Sequence, residues 1–485
     1  MAEAPLSEEE AVGERVATNA IVRAAGEVVG KLASLLLFAA LGRALGEQGL
    51  GVFVFAMSFG IIVLIPIDLG FDRNLLREAA ADRSRLNELA GTVLSCKLAL
   101  TVPAVAIALA VIALSGMASA TRNVVLILLL GLLIESVGRT AAHVFMALER
   151  SVALTVAVVA QRVLAAALGI TALAANMGVA AVAWSYTIGA LAGLVISVVL
   201  IRPHFPLGRL RFGWPSSSDM VRTATFAVQD VATLLLFRVD AVILAVMAST
   251  AAVGRYGAAY RIFESTWFIT VALFGAFVAM FSYLDATSQP TLKSVLERAM
   301  KLSFITLMPC LVGFGLAAPA IIETVFGSDL MGAAEPLQIL APAVLLLGVG
   351  AMGTTFLMAQ HRPGPVLRIS LAAVAVNLAL NVALIPGLGA SGSATAMLIT
   401  EAGIAAAALV VIDRALGGLP WVRMLAGTFG AGLAMAGVIV AFGGGLAALA
   451  AGVVTYFLVL AALERAVNPA DVETVSAMVR RRLPA

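Results

Sequence analysis

Apolar runs long enough to cross a hydrocarbon core recur from one end of the chain to the other, interrupted by short clusters of charge, glycine and proline. About 20 residues of α-helix rise ~30 Å, the thickness of that core. Read against the punctuation, the pattern predicts about fourteen spans. Their limits fall near 18–43, 50–70, 89–114, 123–147, 152–175, 179–201, 221–248, 253–284, 299–325, 337–360, 366–386, 391–412, 421–442 and 445–464. The span at 253–284 is long enough to tilt strongly or to extend beyond the bilayer. No stretch between spans is long enough to fold as a separate soluble domain. The expected fold is an all-α polytopic membrane protein.

Composition agrees. Of 485 residues, 61% are hydrophobic and 12% charged, and the mean hydropathy is +1.05. A soluble domain carries about 25% charged residues, so this chain lacks the polar surface to cover a water-soluble particle. Cys96 and Cys310 both fall inside apolar runs, and His143, His204 and His361 are scattered without ligand spacing. A disulfide framework and a zinc site are therefore not expected, and neither is any other metal or cofactor. Glu3, Glu8, Glu9, Glu10 and Glu14 make the first residues acidic, unlike a cleavable signal peptide. The first span is expected to serve as an uncleaved anchor.

Loop charge sets the expected orientation. One series of connections carries Arg73, Arg77, Arg83 and Arg85, then Arg150, then Arg202, Arg209, Arg211 and Arg222. It continues with Lys293, Arg298 and Lys301, with Arg362 and Arg368, with Arg414 and Arg423, and with Arg465, Arg480, Arg481 and Arg482. The alternate series carries only Arg43, Arg122 and Arg255. Cytoplasmic loops are the cationic ones, so both termini are expected in the cytoplasm.

The chain also repeats itself. Ala147, Leu148, Glu149 and Arg150 return as Ala359, Gln360, His361 and Arg362. The turn Asn176, Met177, Gly178, Val179 returns as Gly387, Leu388, Gly389, Ala390, and Gly51, Val52, Phe53 as Gly254, Arg255, Tyr256. The copies are an even number of crossings apart and run in the same direction, as in parallel transporter repeats. The expected organisation is two pseudo-symmetric six-helix lobes, 1–210 and 211–412, then a terminal helix pair, 413–464, and a cytoplasmic tail, 465–485. The segment 202–219, with Pro203, Phe205, Pro206, Ser216, Ser217 and Ser218, reads as the cytoplasmic connector between lobes.

Several spans carry ionisable residues, which are costly in lipid and usually face protein or an aqueous cavity. Arg23, Glu27 and Lys31 share one helix face at i,i+4 steps, as do Glu135, Arg139 and His143. Lys97 and Arg162 lie in the third and fifth spans. The second half offers Arg238 with Asp240, Arg261 with Glu264, Asn377 with Asn381, and Glu401. The cations Arg23, Lys31, Lys97, Arg139, Arg162, Arg238 and Arg261 outnumber the embedded carboxylates in this set, and a vestibule lined by them would attract an anion. Arginine suits phosphate because its planar fork bonds two oxygens at once. Lys31 and Arg139 are the leading substrate-binding candidates, followed by Arg238. Snorkelling to an interface is the competing reading for Arg23, Lys97 and Arg261. Structural ion pairing competes for Glu135 with Arg139 and for Arg261 with Glu264. Asp68 and Asp72 read as capping or loop groups. Glu135, Asp240 and Glu401 are the candidates for coupling to an ion gradient.

Other motifs carry little. Gly348, Gly350 and Gly353 match G-x-G-x-x-G but lie within a span with no preceding strand, so the dinucleotide reading fails. Gly189 and Gly193 form a small-xxx-small pair suited to close helix packing. Direct ATP drive is not expected without a Walker motif, and the basic loops are explained by topology rather than nucleic acid. The last two spans carry no ionisable residue between Leu425 and Leu463; they read as plain lipid-facing helices, with a border to a groove for an acyl or polyprenyl tail as the alternative.

Two regions form recognisable patterns. The first comprises Gly42, Arg43, Leu45, Gly46, Gly49, Gly51 and Phe53, with Asp68, Leu69, Gly70, Arg77 and Glu78 following. The second comprises Asp240, Val253, Gly254, Tyr256, Ala259, Arg261 and Ile262, with Gly387, Gly389, Ala390, Gly392, Ala394 and Glu401 following. With these, the chain resembles over 18–464 the polysaccharide flippases of the multidrug/oligosaccharidyl-lipid/polysaccharide (MOP) exporter superfamily. The resemblance implies transport of a polyprenyl-diphosphate-linked oligosaccharide from the inner to the outer leaflet of a bacterial cytoplasmic membrane by alternating access. It implies no enzymatic activity. The implied partners are the lipid-linked glycan and membrane lipids; a proton or sodium gradient is a further candidate, raised by the embedded carboxylates Glu135, Asp240 and Glu401. Fourteen spans are also similar to the lipid II flippases. A multidrug or cation exporter of the same superfamily is the first rival, and would favour carboxylates in the cavity. A glycan polymerase or ligase would need a larger external loop, and a passive scaffold would leave the embedded charges without a purpose.

Overall fold

The computed structural model describes residues 8–215, 217–287, 289–360 and 362–467. Glu3, Ser216, His361 and the tail arginines Arg480, Arg481 and Arg482 lie outside them, as do the side chains of Glu8, Glu9, Glu10, Glu14, Arg209, Ser217, Ser218, Arg222 and Arg423. Among the described residues there are fifteen α-helices and no strand. Eleven are long and apolar enough to cross a membrane, and the protein is a multi-pass membrane protein.

The expected spans fall on helices. The first two form a single assigned helix, α1 (Glu8–Asp68), which breaks at Gly46, where φ is 61° and ψ −163°. That backbone conformation is open to glycine and strained for other residues. It separates an arm at 8–45 from one at 47–68. A short helix, α2 (Phe71–Ala81), precedes α3 (Leu86–Leu114), α4 (Ser119–Ala147), α5 (Ser151–Ala174) and α6 (Gly178–Ile201). Then come α7 (Ser217–Met247), α8 (Thr250–Thr287) and α9 (Gln289–Leu316). The expected span at 299–325 is divided, because the helical path breaks at Ala317 and resumes as α10 (Ala318–Phe326) with a proline in its first turn. Five helices complete the chain: α11 (Ala334–Ala359), α12 (Pro363–Leu388), α13 (Ala390–Leu416), α14 (Trp421–Ala441) and α15 (Leu446–Val467).

By internal contacts the chain divides into two compact units, Met1–Gly254 and Arg255–Ala485. In the first, α1 packs on α4, α5 and α7, and α6 packs on α4 and α5. Small residues let these helices approach closely, which is how association proceeds where lipid removes the hydrophobic drive between helices. A Cβ at Gly189 would meet the carbonyl oxygen of Gln161 at 2.7 Å, and one at Gly193 would meet the Gln161 side chain at 2.8 Å. A Cβ at Gly30 would meet Arg162 Cδ at 2.7 Å. Gly51 and Gly254, paired by the sequence repeat, also pack reciprocally: a Cβ on Gly51 would collide with the Thr250 carbonyl, and one on Gly254 with the Glu47 carbonyl.

In the second unit α11 lies between α9 and α13, and α14 pairs with α15. The G-x-G-x-x-G triplet of α11 serves this packing. A Cβ at Gly348 would meet Ser303 Oγ at 2.8 Å, one at Gly350 would meet Ile404 Cγ2 at 2.8 Å, and one at Gly353 would press on Ala408. Lys301 joins α9 to Glu464 of α15 at 2.5 Å, and the Tyr456 hydroxyl donates to the Ile305 carbonyl at 2.8 Å.

Candidate functional site

A polar network runs through the first unit where the second arm of α1 ends. Leu69 (φ 30°) and Gly70 (φ 70°) turn the chain from α1 into α2. That turn carries Asp68 and Asp72 back toward α3 and α4, so the two carboxylates are interior groups and not the capping or loop groups the sequence suggested. Lys97 of α3 is buried. Its ammonium lies 3.0 Å from Asp68 Oδ1 and 2.7 Å from Asp72 Oδ2 and donates to the Ser136 carbonyl at 2.9 Å. Thr140 Oγ1 donates to Asp72 Oδ1 at 2.8 Å, and Ser136 Oγ to Asp68 Oδ1 at 2.6 Å. The three donors of an ammonium are thus matched by three oxygens, which is what makes a buried cation tolerable.

Arg139 extends the network. Its Nη2 pairs with Asp68 Oδ2, and its Nη1 lies 3.6 Å from Glu135 Oε1. Glu135 in turn accepts hydrogen bonds from the Tyr186 hydroxyl and, at 3.1 Å, from Gln161 Nε2. On the neighbouring helix Arg162 Nη1 reaches Glu27 Oε2 at 3.2 Å, and Lys31 lies 3.9 Å from Glu27 Oε1. Each of the four cations Lys31, Lys97, Arg139 and Arg162 is therefore within 4.0 Å of a carboxylate among Glu27, Asp68, Asp72 and Glu135. For these four cations the positive surplus read from the sequence is offset, because Asp68 and Asp72 fold inward.

Beside the network lies a cavity of about 430 Å³. Asp68, Asp72, Arg73, Arg139, His143 and Asp230 supply its polar wall, and α1 and α7 supply apolar residues such as Leu64, Ile65 and Leu234. Arg73 pairs with Asp230 at 3.0 Å. His143 Nδ1 is 2.9 Å from the Arg139 carbonyl. The Arg139 side chain keeps 37% of its surface exposed, so a guanidinium fixed by two carboxylates still has donors to offer a ligand.

The other candidates are dispersed. Arg23 is exposed on α1, while Arg238 is half-buried on α7 near buried Asp240, whose Oδ1 accepts from the Ala241 amide at 2.7 Å. In the second unit Arg261 pairs with Glu264 at 3.0 Å, and Glu401 is buried on α13. Asn377 of α12 donates to Thr400 Oγ1 at 3.2 Å, and Asn381 donates to Asn377 Oδ1 at 2.9 Å. Among the described residues no cluster of His, Cys, Asp and Glu has the makings of a metal site.

Sequence reading missed Arg73, Ser136, Thr140, Gln161, Tyr186 and Asp230 as partners. Ser136 and Thr140 had a signal, since they stand next to Glu135 and Arg139 at the same i,i+4 spacing. The remainder are brought in by other helices.

A family profile described as polysaccharide biosynthesis protein matches residues 16–284. The chain is 26% identical over 208 residues to the probable low-salt glycan biosynthesis flippase Agl15 of Haloferax volcanii, a match covering 43% of this chain and 42% of that one. It thus spans less than half the length of that relative. In fold it is similar to the lipid II flippase MurJ in an inward closed conformation, with a TM-score of 0.68 and 12% identity over 92% of this chain and 99% of that one. It is also similar to an inward-facing multidrug resistance MATE family transporter of the MOP superfamily, with a TM-score of 0.65 and 16% identity over 84% of this chain and 98% of that one. At these identities the likeness to the solved structures is one of fold. With the family profile matching more than half its length, this chain belongs to the polysaccharide biosynthesis protein family and carries the fold of the MOP superfamily.

Proposed function

We propose that this protein is a flippase that carries a polyprenyl-diphosphate-linked oligosaccharide from the inner to the outer leaflet by alternating access, for cell-surface polysaccharide biosynthesis. Its place is a bacterial cytoplasmic membrane, with both termini on the cytoplasmic side. The family membership supports the class of substrate. The observation that carries the site assignment is Arg139, held by Asp68 and Glu135 on the wall of a cavity that is polar on one side and apolar on the other. A diphosphate offers the bidentate oxygens that a guanidinium fork fits, and the apolar wall suits the first isoprene units.

Asp68 makes the exchange inexpensive. It is shared between Arg139 and Lys97 and also accepts from Ser136. When Arg139 turns to a phosphate, Asp68 keeps Lys97, which it shares with Asp72, and the Ser136 hydroxyl. Lys31 and Arg162, linked through Glu27, provide further positive charge on α1 and α5. Arg238, Arg23 and Arg261 are secondary candidates along the path. Glu135, Asp240 and Glu401 are the groups assigned to coupling with a proton or sodium gradient.

The three cavity carboxylates Asp68, Asp72 and Asp230 favour a second reading, export of a lipophilic cation. Each already has a cationic partner in Lys97, Arg139 or Arg73, which ranks this reading second. Thermal stabilisation of the purified protein by a polyprenyl diphosphate sugar, by the same lipid without phosphate and by a lipophilic cation separates the two. Stabilisation by the diphosphate lipid alone, with loss of proteoliposome flipping in Arg139→Ala and Lys31→Ala, is the expected result. Wild-type flipping in both variants would refute the headgroup assignment, and stabilisation by the cation would replace the reading.

A further inference from the structure

The connector after α6 is not a free loop. Phe205 is buried against Leu75, Leu86 and Phe145 at the arginine-rich end of the first unit, and Leu207 and Leu210 pack on the same cluster. The following residues run along α3. The Gly213 amide donates to Ser95 Oγ at 3.2 Å, and Gly91 leaves no room for a Cβ beneath the Arg211 backbone. Pinned in this way, the segment nevertheless turns two large aromatics outward: Phe212 is 65% exposed and Trp214 73%.

Depth along α3 explains where they point. Its last residue, Leu114, is 87% exposed at the far end. Counting back about 20 residues, the length that crosses a ~30 Å hydrocarbon core, reaches Leu94 and Ser95. Beyond Ser95 the outer face of α3 presents Leu98 and Val102, 59% and 71% exposed. Phe212 and Trp214 therefore sit at the edge of the hydrocarbon, the level that aromatic side chains favour because one end of the ring can be apolar and the other wet. Charge lies beyond that level, toward the start of α3. Arg83 and Arg85 are engaged by Glu149, Glu78 and Glu88, whereas the exposed Arg202 and Arg211 meet no carboxylate among the described residues.

We propose that residues 210–215 form an interfacial lipid anchor, in which Phe212 and Trp214 insert among the acyl chains and Arg211 binds the phosphate of an anionic phospholipid. A lipid surface fits better than a protein partner because the two aromatics are continuous with the lipid-facing residues of α3, and the neighbouring guanidinium is the complement of an anionic headgroup. The anchor would hold the connector against the bilayer while transport proceeds. It stands independently of what the protein carries.

The test uses the full chain with Trp184, Trp267 and Trp421 changed to Phe, so that Trp214 is the sole tryptophan. The protein is reconstituted in phosphatidylcholine vesicles with or without phosphatidylglycerol, either lipid being brominated near the headgroup end of its chains. Trp214 fluorescence is expected to be blue-shifted and quenched by both. Brominated phosphatidylglycerol should quench about fivefold more effectively, the factor for one cation near an anionic surface, and Arg211→Ala should remove that preference while quenching persists. Should the triple variant fail to fold, the difference between wild-type protein and Trp214→Phe in the same vesicles gives the same signal. Water-like, unquenched emission would overturn the anchor. Equal quenching by the two lipids, or a preference that survives Arg211→Ala, would overturn the headgroup site.

Discussion

Lys97 and Asp72, 25 residues apart in the chain, meet at 2.7 Å with both side chains almost wholly enclosed. A cation on α3 is thereby tied to a carboxylate on α2, and through Asp68 to Arg139 on α4. Breaking a buried pair by removing one partner costs more than the pair contributes, because the remaining charge is stranded. Lys97→Met should lower stability by about 3–5 kcal/mol, and adding Asp72→Asn should recover part of that loss. Thermal unfolding in detergent measures both, and an unchanged midpoint in the single variant would show that the network is not structural.

Glu135 is held by Tyr186 and Gln161 as well as by Arg139. Tyr186→Phe removes one donor from a half-buried carboxylate and should cost about 1–3 kcal/mol. Gln161→Leu should do the same and disturb the α5–α6 contact at Gly193. If Tyr186→Phe is as stable as wild type, the hydroxyl is not what keeps Glu135 in place.

Arg139→Lys tests geometry apart from charge. A lysine keeps the charge and loses the fork, so a diphosphate bound through two parallel N–H bonds should be flipped on the order of tenfold less efficiently, a change of about 1.4 kcal/mol. Proteoliposome assays at varied substrate density would detect it. Equal transport by the lysine variant would indicate that only charge matters at this position.

Glycine contacts give a sharper pair of expectations. Gly51→Val and Gly254→Val place carbon where a backbone carbonyl already lies, and neither neighbour can move without shifting its helix. Both should fail to yield folded protein. Gly403→Ala, which meets nothing within 4 Å, should be neutral or gain up to about 1 kcal/mol from helix propensity. Yield and monodispersity on size exclusion decide this directly.

The tie between Lys301 and Glu464 fixes α15 on α9. Lys301→Ala should loosen α14 and α15 preferentially, raising amide exchange there while leaving the first unit protected. Uniform exchange throughout would mean that apolar packing alone holds the terminal pair.

Hydropathy and the alternation of loop charge were enough to specify an all-helical membrane protein and the helices on which its spans fall, because lipid leaves a spanning backbone no alternative to satisfying its hydrogen bonds within each helix. Gly51 and Gly254, matched in the sequence, each face a backbone carbonyl in the packed helices and so must both stay small. The i,i+4 row of Glu135, Arg139 and His143 was legible because helical spacing is local. What the chain could not announce were the encounters between helices. Asp68 and Asp72 stand at a helix end in sequence and become interior only because Leu69 and Gly70 turn α2 back beneath α4. Tyr186 and Gln161 join the site from helices whose register is set by close packing at Gly189 and Gly193, and Asp230 joins it from α7 through its pair with Arg73. The excess of cations was a property of the sequence, and the pairing of Lys31, Lys97, Arg139 and Arg162 with carboxylates is a property of the fold. A charge is assigned to its residue by sequence, but its partner is assigned by distance, which only the packed helices determine.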